Sequence, residues 1–100
     1  MISVILKNFN KAFESKARLG IMSSLMVNET LSFKELKELL GLTDGNLATH
    51  MRALENAGYI TTEKNFVGRK PLTTYQMTDE GRKAFCDHLD ALEEFIKNTE

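Results

Sequence analysis

The chain has 100 residues, of which 42% are hydrophobic and 27% charged, and this length and balance indicate one globular domain. No apolar run approaches the roughly 18 residues that a membrane-spanning helix requires, and the opening segment lacks the small-residue cleavage site of a signal peptide. A single cysteine, Cys86, excludes an internal disulfide, so we expect a protein of the reducing cytoplasm.

The formal net charge is only −1, but the charged residues are unevenly distributed along the chain. Residues 78–100 carry seven acidic and three basic side chains, whereas residues 1–28 carry four basic side chains and one acidic one. A chain that is nearly neutral overall can therefore still present a basic surface, because half of its acids lie in the last quarter.

The first third of the chain predicts two helices and a short strand. Residues 1–14 favour a short helix, although residues 2–6 are equally compatible with a strand. Ser15 is a suitable N-cap for a helix that runs to about Val27 and has a broad apolar face. Residues 30–32 are long enough only for a strand segment.

A capping box, with Ser32 as N-cap and Glu35 three residues later, predicts a short helix over residues 33–40. Gly41 stands where a helix is commonly closed by a residue in the left-handed conformation. Two helices joined by a short glycine turn make a helix-turn-helix, here residues 33–57. The residues of the first helix expected to point inward are Phe33, Leu36, Leu39 and Leu40.

The second of these helices, in the stretch 42–57, combines an apolar face with a small polar one. Thr43 is its expected N-cap, and Leu47, Met51 and Leu54 follow the spacing of a buried stripe. A helix that only covers a core usually carries Lys and Glu on its outer side. This helix instead has short or hydrogen-bonding side chains there, which suits close approach to another surface: Gly45, Asn46, Thr49, Arg52, Ala53 and Asn56.

A hairpin and a long helix complete the chain. Residues 59–65 and 72–77 are predicted strands, and residues 66–71 are the loop between them, with a glycine, two cations and a proline. Thr78 caps a helix over residues 79–97, whose apolar stripe extends beyond what so small a domain can cover. The simplest occupant of that stripe is a second copy of the helix, with an interface formed by Phe85, Leu89, Leu92, Phe95 and Ile96.

The order of these elements resembles that of the small winged-helix transcriptional regulators near the MarR and ArsR families. The resemblance covers nearly the whole chain and implies an α+β, mainly α fold: a winged helix-turn-helix with a two-stranded wing (59–77) and a C-terminal dimerisation helix (79–97). It further implies a homodimer that binds a pseudo-palindromic duplex and represses or activates transcription. The segments that carry it are RLGI at 18–21, SFKEL at 32–36, LTDGNL at 42–47 with His50 and LE at 54–55, GYI at 58–60, GRKP at 68–71 with Thr73, and TDEGR at 78–82.

Side-chain chemistry on the second helix and the wing predicts contacts with double-stranded DNA. Asn pairs with adenine and Arg with guanine in the major groove, and Thr contacts a thymine methyl group or a phosphate. His50 lies beside the apolar stripe, so it either reaches a phosphate or packs at the edge of the core. The predicted DNA-binding residues are Thr43, Gly45, Asn46, Thr49, His50, Arg52, Lys64, Arg69, Lys70 and Thr73.

Other functions have weaker support in the sequence. Cys86 and His88 are two residues apart and point to different sides of a helix, so no metal site or cofactor is expected. Cys86 fits a thiol at the core edge, with an oxidation sensor as the alternative. No phosphate loop or nucleophile–base pair indicates an enzyme. A small-molecule effector between the dimer helices and the body, and a protein-binding winged helix without a DNA role, remain open.

Overall fold

The computed structural model describes residues 7–99. Within that range a single turn of 3₁₀ helix is followed by helices and strands in the predicted order. Their bounds are Lys11–Phe13 for the 3₁₀ turn, Lys16–Val27 for α1, Leu31–Ser32 for β1, Phe33–Leu40 for α2, Asp44–Asn56 for α3, Ile60–Val67 for β2, Lys70–Met77 for β3 and Asp79–Thr99 for α4.

Local side-chain chemistry explains where the first helices begin and end. The Ser15 hydroxyl accepts a hydrogen bond from the Arg18 N–H at 3.3 Å and caps α1. The predicted capping box opens α2: the Glu35 N–H donates to the Ser32 hydroxyl at 3.1 Å, and the Ser32 N–H donates to the Glu35 carboxylate at 3.0 Å. Gly41 ends α2 with φ +64°, the left-handed conformation that favours glycine.

The three strands form one antiparallel sheet in the order β1-β3-β2. The short β1 pairs Leu31 with Tyr75, so it adds a third strand to the base of the two-stranded wing that the sequence predicts. Strands β2 and β3 pair without interruption from Ile60↔Met77 to Val67↔Lys70. We refer to this β2–β3 hairpin as the wing.

The core lies where α1, α2, α3, the base of the sheet and the first half of α4 meet. Aromatic rings join its layers: the Phe13 ring packs edge-to-face against the Phe85 ring of α4 at a centroid distance of 5.2 Å. Among residues 7–99, no helix has the length and the apolar run that crossing a membrane requires. The largest fully buried side chains are Phe13, Phe85, Ile21, Met22, Leu25, Leu36, Leu47 and Leu54.

The wing strands are longer than predicted. The six-residue loop expected at 66–71 is a two-residue turn, Gly68-Arg69, in which Gly68 has φ +65°. A glycine with positive φ at the first turn position is typical of a type II′ hairpin. Residue pairs in an antiparallel ladder alternate between hydrogen-bonded and non-hydrogen-bonded ones. The Phe66↔Pro71 pair, which follows the Val67↔Lys70 pair beside the turn, is a non-hydrogen-bonded one. Pro71 therefore fits inside β3 although it has no N–H to donate.

Three further expectations need correction or fall outside the described range. Leu39 was expected to point inward, but it is 62% exposed, because Leu36 and Leu40 form the inner face of α2. Phe85 was expected in a dimer interface, but it is 1% exposed and belongs to the protomer's own core, where it contacts Phe13. Of the helix favoured over residues 1–14, residues 1–6 lie outside the described residues, Lys7 is helical, and Lys11–Phe13 form a separate 3₁₀ turn.

Candidate nucleic-acid interface

The start of α3 is held in place by its cap and by an ion pair. The Thr43 hydroxyl accepts a hydrogen bond from the Asn46 N–H at 3.2 Å, as the sequence predicts. Asp44, the first residue of the helix, pairs with Lys37 of α2 at 2.9 Å, and both side chains remain partly exposed. The ion pair therefore joins the two helices of the helix-turn-helix and neutralises the acid closest to the helix start.

The buried stripe of α3 is the predicted one. Leu47 and Leu54 are fully buried and Met51 is 3% exposed, and all three pack in the main core. Burial of this stripe fixes the rotation of α3 about its own axis. The helix consequently turns the opposite side toward solvent. We call this side the outer face and define it by the exposed residues Gly45, Asn46, Thr49 and Arg52.

The outer face is polar, and its first turn has little side-chain bulk. A Cβ atom placed on Gly45 meets nothing within 4 Å, so the first turn is open to a close approach from outside. The Thr49 hydroxyl donates to the Gly45 carbonyl at 2.9 Å, which occupies its proton within the helix and leaves the exposed side chain able to accept. The hydrogen bond to the cap uses the backbone N–H of Asn46, so its side-chain amide is left to face outward. Arg52 adds one exposed cation at the far end.

Geometry along the outer face matches the scale of a duplex. Asn46, Thr49 and Arg52 are three residues apart, so each step rises about 4.5 Å along the helix axis. Together they span about 9 Å, which corresponds to roughly three base pairs at 3.4 Å each. The structure thus brings these three predicted residues together on one solvent-facing surface.

His50 occupies the flank of α3, and its partner was not anticipated. Its Nδ1 atom accepts a hydrogen bond from the Arg18 Nε at 3.1 Å, which joins α3 to the start of α1. This contact places a guanidinium beside the outer face and orients the imidazole. Arg18 is therefore a candidate site residue: its position near Lys16 at the start of α1 indicates a possible extension of the basic surface, but nothing local in the sequence indicates its contact with His50.

Three acids near the outer face are each paired or turned away. Asp44 pairs with Lys37, as described above. Glu55, near the end of α3, accepts a hydrogen bond from the Thr62 hydroxyl of the wing. Glu63 accepts from the Asn65 side chain at 3.0 Å on the wing surface. Asp44 is thus neutralised by a cation, whereas the Glu55 and Glu63 carboxylates keep their charge and are held on the wing side by neutral donors.

Strand register assigns each wing residue to a side. Ile60 and Tyr75 are buried, and cross-strand partners share a face, so the Lys64↔Thr73 pair lies on the same side as these core residues and α3. Residues on the opposite side include Glu63, which alternates with Lys64. Lys64 therefore lies on the α3 side of the wing, and Glu63 lies on the opposite side.

The tip of the wing carries the remaining predicted cations. Arg69 is exposed in the turn, and Lys70 is exposed at the start of β3, opposite Val67. Phe66 was missed as a candidate: it is 74% exposed and shares the face of Lys64. The sequence interpretation placed Phe66 in a loop, and only the correct strand register shows the side on which it lies.

The long helix α4 is covered for about half its length by residues 8–13. His88, 3% exposed, accepts a hydrogen bond at Nδ1 from the Asn10 N–H at 3.0 Å. The Asn10 side chain in turn donates to the Tyr59 hydroxyl at 2.9 Å. Burial lowers the pKa of His88, and the charge of Glu14 opposes this shift to a smaller extent. This network connects α4 to the junction between α3 and the wing.

Beside these contacts, part of the apolar stripe of α4 is exposed to solvent. Leu89 is 39% exposed and Ile96 is 58% exposed, whereas Leu92 and Phe95 are partly buried. The Phe95 ring contacts the Phe9 ring at a centroid distance of 6.0 Å. Cys86 is partly buried on the same helix. Within residues 7–99, no group of three or more His, Cys, Asp or Glu side chains is placed to hold a metal ion.

Comparison with known proteins agrees with this geometry. Residues 17–96 match the family described as winged helix DNA-binding domain. An uncharacterized protein of Methanocaldococcus jannaschii is 37% identical over 90 residues, which are 90% of this chain and 98% of that protein. The structure of a transcriptional regulator homologue from Pyrococcus horikoshii OT3 superposes with a TM-score of 0.88 at 31% identity, over 99% of this chain and 96% of that one. A MarR-family regulator from Enterococcus faecalis V583, 28% identical, superposes with a TM-score of 0.68 over 98% and 84% of the two chains. The chain belongs to the winged helix DNA-binding domain family, and its fold is that of MarR-like transcriptional regulators.

Proposed function

We propose that the protein is a homodimeric, sequence-specific repressor of transcription. Its α3 helix enters the major groove of a half-site, and its wing lies along the flanking duplex. The observation that carries this proposal is the outer face of α3: small, polar and exposed, with each neighbouring acid paired or turned away. We expect the protein to act in the cytoplasm, together with the genomic DNA.

Each predicted contact has a distinct role in this proposal. Asn46, Thr49 and Arg52 read base edges, because a bidentate amide or guanidinium discriminates among bases in the major groove and a threonine contacts a thymine methyl group. Thr43 and the open first turn at Gly45 approach the phosphate backbone, where the N-terminal amides of a helix favour an anion. His50, held by Arg18, contributes a backbone contact at the flank of α3. The phosphate contacts proposed for the wing come from Lys64, Arg69, Lys70 and Thr73.

Dimerisation would set the spacing between the two α3 helices. The exposed end of the α4 stripe, with Leu89 at its centre, supports a seam between two copies, continued by Leu92, Phe95 and Ile96. Such a dimer reads two half-sites about 34 Å apart, one turn of the duplex. Occlusion of a promoter by the bound dimer then represses transcription. A small effector, expected between α4 and the body, would lie in the open apolar groove bounded by Phe9, Phe13 and Leu92.

Dimerisation is tested by a charge in the proposed seam. Leu89→Glu is expected to convert a sedimenting dimer into a monomer, since the new carboxylate would be desolvated between the helices. Lys83→Glu is the matched control, because Lys83 is exposed on a different side of the same helix, where it pairs with Asp87 at 3.2 Å. A Leu89→Glu protein that remains a dimer would place the interface elsewhere.

DNA binding is tested by affinity across a salt series. Each phosphate contact contributes about 0.9 to the slope of log K against log salt, so Arg69→Ala with Lys70→Ala should flatten the slope by about 4 for a dimer and weaken binding to every sequence. Asn46→Ala should leave the slope nearly unchanged and relax sequence preference. Equal behaviour of the two variants would overturn the assigned roles. No binding to any duplex at low salt would favour the alternative, a winged helix that binds proteins only.

A further inference from the structure

The wing tip carries an exposed apolar surface that the proposed base and phosphate contacts do not use. Phe66 is 74% exposed, and Pro71, which is also exposed, is its cross-strand partner on the same face. Single apolar side chains on a surface are ordinary, but here an aromatic ring and a proline are directly opposite each other at the end of a projecting hairpin. Leaving them in water has no benefit for the fold.

The charged residues around this apolar surface indicate the chemistry of its partner. Lys64 lies on the same face as Phe66, two residues before it, and Arg69 occupies the turn. The nearest wing acid, Glu63, alternates onto the opposite face. An apolar ring within a cationic rim is complementary to a polyanion that also presents apolar surfaces, and a nucleic acid duplex has both properties in its phosphates and stacked bases.

Distance along the strand places the ring in a particular groove. Thr62 contacts Glu55 of α3, and Phe66 is four residues further along the same face. Four residues of a strand span about 13 Å. With α3 in the major groove, the adjacent minor groove lies half a duplex turn away, at about 17 Å. The two lengths are of the same order, so the wing extends the ring from α3 toward the adjacent minor groove.

We propose that Phe66, supported by Pro71, is an apolar wedge that enters the minor groove beside the half-site and partly unstacks a base step. This inference rests on the proposed DNA-binding function and adds to it a preference for deformable sequence at positions that α3 does not touch. Apolar wedges of this kind favour pyrimidine–purine steps, which unstack more readily than A-tracts. The cations of the wing would hold the phosphates on either side of the ring.

The test compares two duplexes of identical base composition, alternating (TA)₂₀ and the A-tract (A)₄₀·(T)₄₀. Their minor-groove hydrogen-bonding groups are equivalent, whereas their stiffness differs. Phe66→Ala should weaken binding to the alternating duplex by about tenfold, within the range for loss of an aromatic stacking contact, and should change binding to the A-tract less. Phe66→Leu should retain most of the binding, because leucine also serves as a wedge.

Val67→Ala is the matched control, since Val67 is the exposed neighbour on the opposite face of the same strand. It should stay within about twofold of the wild type on both duplexes. A 2-aminopurine in the alternating duplex should brighten on binding of the wild type and of Val67→Ala, but not of Phe66→Ala. If the wild type binds both duplexes and Phe66→Ala has the same affinities for them as Val67→Ala, the wedge alone is overturned. A wild type that binds other duplexes at low salt but neither of these two overturns the wedge alone, whereas a wild type that binds no duplex at all overturns the DNA-binding function and the wedge with it.

Discussion

Replacement of Gly45 by alanine is expected to strengthen the fold and weaken DNA binding. Gly45 is the second residue of α3, its φ lies outside the left-handed range, and an added Cβ meets nothing within 4 Å. Alanine therefore fits without strain and reduces the entropy of the unfolded chain, which stabilises the fold by about 0.4 to 1 kcal/mol. For a chain of this length, thermal unfolding at fixed protein concentration should rise by about 2 to 6 °C.

The same methyl group stands on the outer face, where the proposal brings the helix start against a phosphate. Because the methyl group would separate the start of α3 from the phosphate backbone, it should weaken DNA binding by about fivefold, or on the order of 1 kcal/mol. The affinity is measured by fluorescence anisotropy with a labelled duplex. Gly41→Ala is the control: its Cβ also meets nothing within 4 Å, but its φ of +64° makes alanine unfavourable. It should lower the unfolding temperature and leave the affinity of the folded protein unchanged. If Gly45→Ala gained stability with unaltered binding, close approach at the first turn would be refuted.

Two further predictions concern the junction between the wing and α4. Gly81→Ala should destabilise the protein by about 3 kcal/mol in denaturant titration, because its Cβ would stand 2.1 Å from the backbone carbonyl oxygen of Tyr59; a loss below about 1 kcal/mol would contradict this packing. Burial lowers the pKa of His88, so the folded state binds fewer protons there than the unfolded state. Its stabilising contribution is thus present above the unfolded pKa of about 6.5 and is lost as the pH falls through the folded value, as the Asn10 hydrogen bond is displaced. The slope of the unfolding free energy against pH between about 7 and 5 should be smaller in His88→Gln than in the wild type; equal slopes in the two proteins would contradict the burial of a neutral imidazole.

Local sequence signals accounted for the elements and for the outer face. Caps at Ser15, Ser32 and Thr43 act within three residues, so their hydrogen bonds follow from sequence alone. The stripe of α3 repeats at the helical period and has little competition from neighbouring apolar residues, which is why its inner and outer sides were predicted correctly.

Tertiary packing decided what periodicity left ambiguous. Leu39 and Leu40 are adjacent, and only contact with α1 determines that Leu40 is the inner one. Phe85 lies on the same stripe of α4 as Leu89, but Phe13 from the N-terminal segment covers it. Such a contact between residues far apart in the chain has no local signature, and the same holds for the Arg18–His50 hydrogen bond.

The turn chemistry of the wing was also misread from sequence. Pro71 indicated a loop, because proline removes a ladder donor. The register puts it in a non-hydrogen-bonded pair, where no donor toward β2 is needed, so the strand continues to Lys70. Because the strands continue to the two-residue turn, Phe66 lies on a defined face of the wing and not in a loop. The longer strands also change the position of the wing tip relative to α3.

Selection of bound sites from a pool of random duplexes tests the central claim most directly, because it examines DNA binding, sequence preference and dimer symmetry together. A dimer that reads two half-sites should enrich a pseudo-palindrome with half-sites about 10 to 10.5 base pairs apart, centre to centre. In the Asn46→Ala protein, preference should relax within each half-site while the spacing is retained. A pool that returns without enrichment, or a single site without two-fold symmetry, would contradict the account.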